Sequence, residues 1–219
     1  MFKEILKILK KPSLLIQSLD DSKLILKISQ RMYLMAIGSL LYGRKPEEDI
    51  QKLDEEINNR QKDIKKKVLE YLVLEPNMDV HTALTLINIV TNIERLGDYS
   101  KNIHQLSLFP GVAWKKQYMD FAEKLNSRVE RLYDDAVQAY LNADKKKALN
   151  IISSYSDISS YCNGLIEELA SASQTDSNLV VITLYIRYMK RVSSHLMHIA
   201  QSVDNPFESI GFHEGRDDE

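Results

Sequence analysis

The feature that most constrains this chain is a repeated pattern of amphipathic helices. Through most of the sequence, apolar residues recur at spacings of three and four, as they do on a helix with one buried face. The pattern of the first half then returns in the second. Shifted by 100 positions, Ile25, Met32, Ala36, Ile37 and Leu41 fall on Leu125, Leu132, Ala136, Val137 and Leu141. Shifted by 101, Ile50, Ile57, Ile64 and Val68 fall on Ile151, Ile158, Leu165 and Leu169. Shifted by 96, Ile93, Arg95, Leu96 and Ile103 fall on Met189, Arg191, Val192 and Ile199. Any two amphipathic helices can be slid into phase, but three in succession at nearly one offset point to a tandem repeat. One helix cannot bury its apolar stripe alone, whereas three packed antiparallel with short connections can. The expected fold is all-α: two tandem three-helix bundles with six long helices.

Punctuation supports long helices. Only 7 Gly and 5 Pro occur in 219 residues, too few for the turns that many short strands require. The spacing predicts a first helix from about Ser13 to Tyr42, stopped at Gly43. A second is expected from Pro46, with Glu47, Glu48 and Asp49 in its first turn, to Leu74 before Pro76. A third is expected from Met78 to Leu108, before Pro110-Gly111. The second half repeats the plan with Trp114 to Leu141, a break at Asn142 to Asp144 with Asp144 as N-cap, a helix to Ala172, and a last one from Asn178 to Val203 before Pro206. Residues 1–110 and 111–206 are thus the two expected units, and 207–219 an acidic tail.

Charge and cysteine usage narrow the function classes. With 29 basic and 31 acidic side chains the net charge is −2, without the basic excess of a nucleic-acid binder. The single cysteine, Cys162, excludes an internal disulfide and thiolate-held zinc, and it suits a reducing compartment. No uninterrupted apolar stretch reaches the roughly 18–20 residues of a membrane span. The chain therefore reads as a cytoplasmic protein. Its start, with Phe2, Ile5, Leu6 and Leu9 among lysines, suits an ordinary amphipathic helix beginning, or contact with an anionic membrane surface or a partner groove.

The sharpest local signal lies in the third helix, Thr91-Asn-Ile-Glu-Arg-Leu-Gly-Asp-Tyr-Ser-Lys-Asn-Ile103. Glu94, Asp98 and Asn102 are spaced by four, so they form one stripe of oxygen ligands beside the apolar seam of Ile89, Ile93, Leu96 and Ile103. Gly97 stands between them, although glycine costs about 1 kcal/mol in a helix interior, which suggests a close approach there. The second helix offers Asp54 and Asn58, also four apart. Asp54 facing Glu94 and Asp98 would make a carboxylate cluster of the kind hard metal ions take. Acids at this spacing on a surface helix more often simply face water.

Glu94-Arg-Leu-Gly-Asp98, three further residues and Asn102-Ile103 resemble the signature of the PhoU family, Glu-Arg-(Ile/Leu)-Gly-Asp, three variable residues, Asn-Ile. The resemblance implies two tandem three-helix repeats and a negative regulator of high-affinity phosphate import. It implies contact with a phosphate transporter and the sensor kinase of a phosphate two-component system, at the inner face of the membrane. It further implies an iron, zinc, manganese or magnesium ion on acid clusters, with Glu94, Asp98, Asn102 and Asp54 as this chain's metal candidates. A second copy of the chain is a further candidate partner. The second repeat departs from this pattern: Lys190, Ser194 and His198 stand at the positions of Glu94, Asp98 and Asn102, and Tyr155 and Ser159 at those of Asp54 and Asn58. A protonated lysine cannot ligate a metal, so the expected site is confined to the first repeat.

Other chemistry is sparse. His195 and His198 lie three apart and could share a transition metal, but no carboxylate or third histidine joins them at helical spacing, so an interface or surface role is the better reading. His81, His104 and His213 are isolated. There is no phosphate-binding glycine loop and no nucleophile elbow. The expected role is a regulatory adaptor and not an enzyme. The alternatives are an accessory protein of a phosphate permease outside the sensor-kinase pathway, and a metal-dependent helical enzyme acting on phosphate compounds.

Overall fold

The structure, a computed structural model, describes residues 13–75, 79–109, 114, 116–171 and 178–204. The expectations for the N-terminal amphipathic segment, for Pro76, Pro110-Gly111 and Pro206 as stops, for His213 and for the acidic tail lie outside these residues. Within them are six helices and no strand: α1 (Leu14–Tyr42), α2 (Ile50–Leu74), α3 (Val80–Leu106), α4 (Lys116–Asn142), α5 (Lys145–Ser171) and α6 (Asn178–Asp204).

The helix ends show which local signals act. The Ser13 hydroxyl accepts the Ile16 amide at 3.3 Å and starts α1. At its other end Gly43 takes the left-handed conformation, φ 61°, and the Gly43 and Arg44 amides donate to the carbonyls of Ser39 and Gly38. α2 begins later than the sequence pattern suggests. Asp49 is its N-cap, accepting from the Gln51 and Lys52 amides, so Pro46, Glu47 and Glu48 precede the helix. Glu48 instead pairs with Arg31 of α1 at 2.9 Å. Asp79 caps α3 through the Thr82 amide, and its own amide donates to the Tyr71 hydroxyl of α2. Asp144 caps α5 through the Lys147 amide, as expected.

The repeat extends to the backbone of these stops. Ala143, 100 positions after Gly43, is also left-handed, φ 51°, and is the one non-glycine residue with positive φ among those described. A side chain there meets the carbonyl crowding that glycine avoids, at roughly 1–2 kcal/mol. Ala143→Gly is therefore expected to raise the unfolding free energy by about 1 kcal/mol, and Gly43→Ala to lower it by about as much. Urea titration of both variants checks the pair.

Each half closes as a triangle, α1–α2–α3 and α4–α5–α6, and the halves meet along α1·α4 and α3·α6. α2 and α5 lie on opposite flanks, each touching only its own repeat. The α1·α4 seam is antiparallel and polar at its centre. Ser22 and Tyr140 share a hydrogen bond of 2.6 Å, the Tyr133 hydroxyl donates to Ser29 at 2.8 Å, and the Tyr33 hydroxyl donates to Asn126 at 2.7 Å. Tyr33 and Tyr133, equivalent by the 100-residue offset, lie 5.3 Å apart between ring centres. These buried groups are satisfied only in one register, so they fix how the two repeats face each other. α1 is long and apolar enough to cross a membrane, but 67% of its most apolar stretch is buried within the bundle, where it packs on three other helices.

Candidate functional site between α2 and α3

Periodicity places Ile50, Leu53, Ile57, Ile64 and Val68 of α2 in the core, and Asp54 lies next to Leu53 on the edge of that stripe. The α2·α3 packing then carries Asp54 inside, to 3% exposure. Gly97 of α3 makes this possible. A β-carbon on Gly97 would stand 3.2 Å from Cδ1 of Ile57 and 3.8 Å from Oδ1 of Asp54. The close approach inferred from the glycine is therefore that of the neighbouring helix. Gly97→Leu is expected to force α2 away and cost about 2 kcal/mol of stability. A thermal melt that left the variant at the wild-type midpoint would dismiss this account.

The site brings Asp54 and Asp98 together, but around a lysine. The Lys101 ammonium donates to Oδ2 of Asp54 at 2.6 Å and to Oδ1 of Asp98 at 3.4 Å. Asn58 also donates to Oδ2 of Asp54, at 3.4 Å. Arg95 reaches Oδ2 of Asp98 at 3.2 Å and Oε2 of Glu94 at 3.6 Å. Asn102, half-buried one turn beyond Asp98, forms none of these bonds. Burial works against the Lys101 ammonium, but the hydrogen bond and charge of Asp54, with those of Asp98, outweigh it and raise its pKa. Glu94 moves the other way: burial first, then the charge of Asp98, raise its carboxyl above the usual range against the pull of Arg95 and Lys65.

Three carboxylates thus share two cations, the half-buried Lys101 and the more exposed Arg95. No group of three or more His, Cys, Asp or Glu side chains among the described residues is arranged to hold a metal ion. As they stand, Asp54 and Asp98 turn their oxygens to the ammonium, so with Lys101 in place they do not present a metal site.

The second repeat uses its altered residues differently. Lys190 donates to Asn163 of α5 at 2.8 Å, and His198 bonds to Gln201 at 3.1 Å. His195 lies in the α3·α6 seam. Its Nδ1 stands 2.9 Å from Oδ1 of Asn92, whose amide nitrogen donates to Asn88, so the imidazole carries its proton on Nδ1. Tyr99 stacks on the His195 ring at 5.6 Å and reaches Tyr188 at 5.9 Å. At the 96-residue offset Tyr99 answers to His195 and Asn92 to Tyr188, so this cluster lies about the pseudo-twofold relation of the repeats. Burial, then the charges of His198, Arg191 and Arg95, lowers the pKa of His195 to about 4. Cys162 is buried, which pushes its thiol up to about 12 and leaves it unreactive. A groove of about 400 Å³ at the α1, α3, α4 and α6 ends is mainly apolar, with Lys23 as its charged side chain. None of these places assembles a nucleophile, a base and an oxyanion stabiliser.

The arrangement is that of a protein built twice from one three-helix unit, and the PhoU domain is matched twice, over residues 23–106 and 122–203. The chain belongs to the PhoU family. The two matched stretches fall one in each repeat. A phosphate-specific transport system accessory protein PhoU homolog of Clostridium acetobutylicum is 24% identical over 166 residues, covering 71% of this chain and 74% of that protein. A homolog of the same description from Caulobacter vibrioides is 23% identical over 165 residues, covering 72% and 71%. Among solved structures, PhoU from Pseudomonas aeruginosa superposes with a TM-score of 0.69 at 17% identity, over 95% of this chain and 99% of that one. The phosphate transport system regulatory protein PhoU from Streptococcus pneumoniae gives 0.70 at 19%, over 88% and 93%. These structures carry the same PhoU fold. The relatives are described as accessory and regulatory proteins of transport, not as enzymes.

What the PhoU signature concealed is the role of its variable positions. Tyr99 and Lys101 fall within the three unspecified residues, yet one stacks in the inter-repeat seam and the other neutralises the acids. Lys101 was detectable, since it follows Asp98 by three, a spacing that places both on one helix face.

Proposed function

We propose that this protein is a regulatory accessory protein of a phosphate-specific transport system, acting at the cytoplasmic face of the membrane. It works as an adaptor, presenting helical faces to the transporter, to the sensor kinase of the phosphate response, or to both. The observation that carries this reading is the double PhoU match across both halves of a chain with no assembled catalytic site among its described residues. The acid cluster supports it as well: its carboxylates are spent on Lys101 and Arg95, which fits a clamp between helices better than a group that activates water. Deleting the gene and measuring phosphate uptake together with phosphate-responsive transcription tests the proposal. Raised transcription in phosphate-rich medium is expected, with restored repression on complementation. Altered uptake with unchanged transcription would favour an accessory role at the permease alone, and no change in either would remove the proposal.

A further inference from the structure

We propose that Lys101 is a built-in cation: its ammonium occupies the position a metal ion would take between α2 and α3, and the first repeat needs no metal. Three observations converge. Asp54 is buried, and its Oδ2 receives the ammonium at 2.6 Å, a short charge-assisted contact. The same ammonium reaches Asp98 on the neighbouring helix, so one cation bridges α2 and α3 as a shared metal would. Arg95 adds a second positive charge, reaching Asp98 at 3.2 Å and Glu94 at 3.6 Å, so two cations offset most of the charge of three carboxylates. A hard cation requires several oxygens at about 2.0–2.6 Å, and the Asp54 and Asp98 oxygens between α2 and α3 already receive the ammonium.

The second repeat follows the same principle from a different position. Lys190, where the first repeat has Glu94, places its ammonium on Asn163 and so spans α5 and α6. Both repeats therefore tie their second helix to their third with a lysine. Within this arrangement Asp98 of the α3 stripe, together with Asp54 of α2, serves as the counter-charge of Lys101.

Mn²⁺ titrated into the chelator-treated full-length protein, with the free ion followed by electron paramagnetic resonance, tests this. Wild-type protein is expected to take up no stoichiometric Mn²⁺. Lys101→Met, which frees Asp54 and Asp98, is expected to bind one ion, at least tenfold more tightly than any residual uptake by wild type, and Lys101→Met/Asp54→Asn to lose it. One Mn²⁺ per wild-type chain, abolished by Asp54→Asn, would overturn the proposal, and so would no gain in Lys101→Met. If Lys101→Met does not fold, Lys101→Gln carries the same expectation. A separate reading uses wild type alone: its melting temperature is expected to be equal in chelator and in excess Mn²⁺, because only a ligand of the folded state raises it. A rise with Mn²⁺ would also overturn the proposal.

Discussion

Lys101→Met lowers the unfolding free energy by about 3 kcal/mol, and Asp54→Asn in that background recovers most of the loss. The asymmetry follows from burial. Asp54 has a side chain only 5% exposed, while Lys101 keeps 23% of its side chain in water. Removing the ammonium leaves a carboxylate in the protein interior with only the long bond from Asn58, and breaking such a pair costs about 3–5 kcal/mol. Partial exposure of the lysine end places the value at the low end of that range. Replacing both partners removes the stranded charge, so the double variant returns towards wild type. Lys101→Arg, which keeps the charge, is expected to lose less than Lys101→Met. Urea unfolding of wild type, Lys101→Met, Asp54→Asn and the double variant, as a double-mutant cycle, measures the coupling directly. A Lys101→Met chain as stable as wild type would show that the 2.6 Å contact contributes nothing.

The fold was legible in the sequence because its main determinants are local or periodic. Ser13, Gly43 and Asp144 end or begin helices through bonds to residues within six positions, and the core of each helix follows the 3.6-residue period. The start of α2 was less so. Pro46 and the acids after it make an acceptable first turn, but Asp49 competes as a cap and Arg31 of α1 claims Glu48, a contact between residues 17 apart. The candidate site was half legible. Spacing placed Glu94 and Asp98 on one stripe and Asp54 opposite, and the structure does bring Asp54 to Asp98. What fills the space between them depends on packing. Spacing could not show that Asp54 is buried, because it sits on the margin of its helix's apolar stripe, nor that the seam tyrosines find Ser22, Ser29 and Asn126 across about a hundred residues. Such pairings depend on which faces the two repeats turn to each other. The 96-residue offset pairs Tyr99 with His195 but says nothing about their being in contact.

His195 makes that inter-repeat seam sensitive to acid, with an effect of about 3 kcal/mol. In the unfolded chain its imidazole takes up a proton near pH 6.5, but in the fold only near 4. Between these values the unfolded chain binds more protons, so acidification favours it. The contribution of His195 is complete above about pH 6.5 and is lost as the pH falls towards 4, at about 1.4 kcal/mol for each tenfold difference in proton affinity. The causes are burial between α3 and α6, His198 and Arg191 on its own helix, and Arg95 from α3, with Tyr99 stacked on the ring and Tyr188 against Tyr99. Glu94 opposes the trend, because a raised carboxyl pKa makes the fold gain protons on acidification, while His104, lowered by burial, adds to it. The comparison therefore has to be made against His195→Gln, whose amide can still donate to Asn92 but does not titrate. Between about pH 7.5 and 4.5 the wild type is expected to lose about 2–3 kcal/mol more than this variant in urea titrations. If both lost stability equally over that interval, His195 would not be the group that takes up the proton, and the acid response would lie outside the α3·α6 seam.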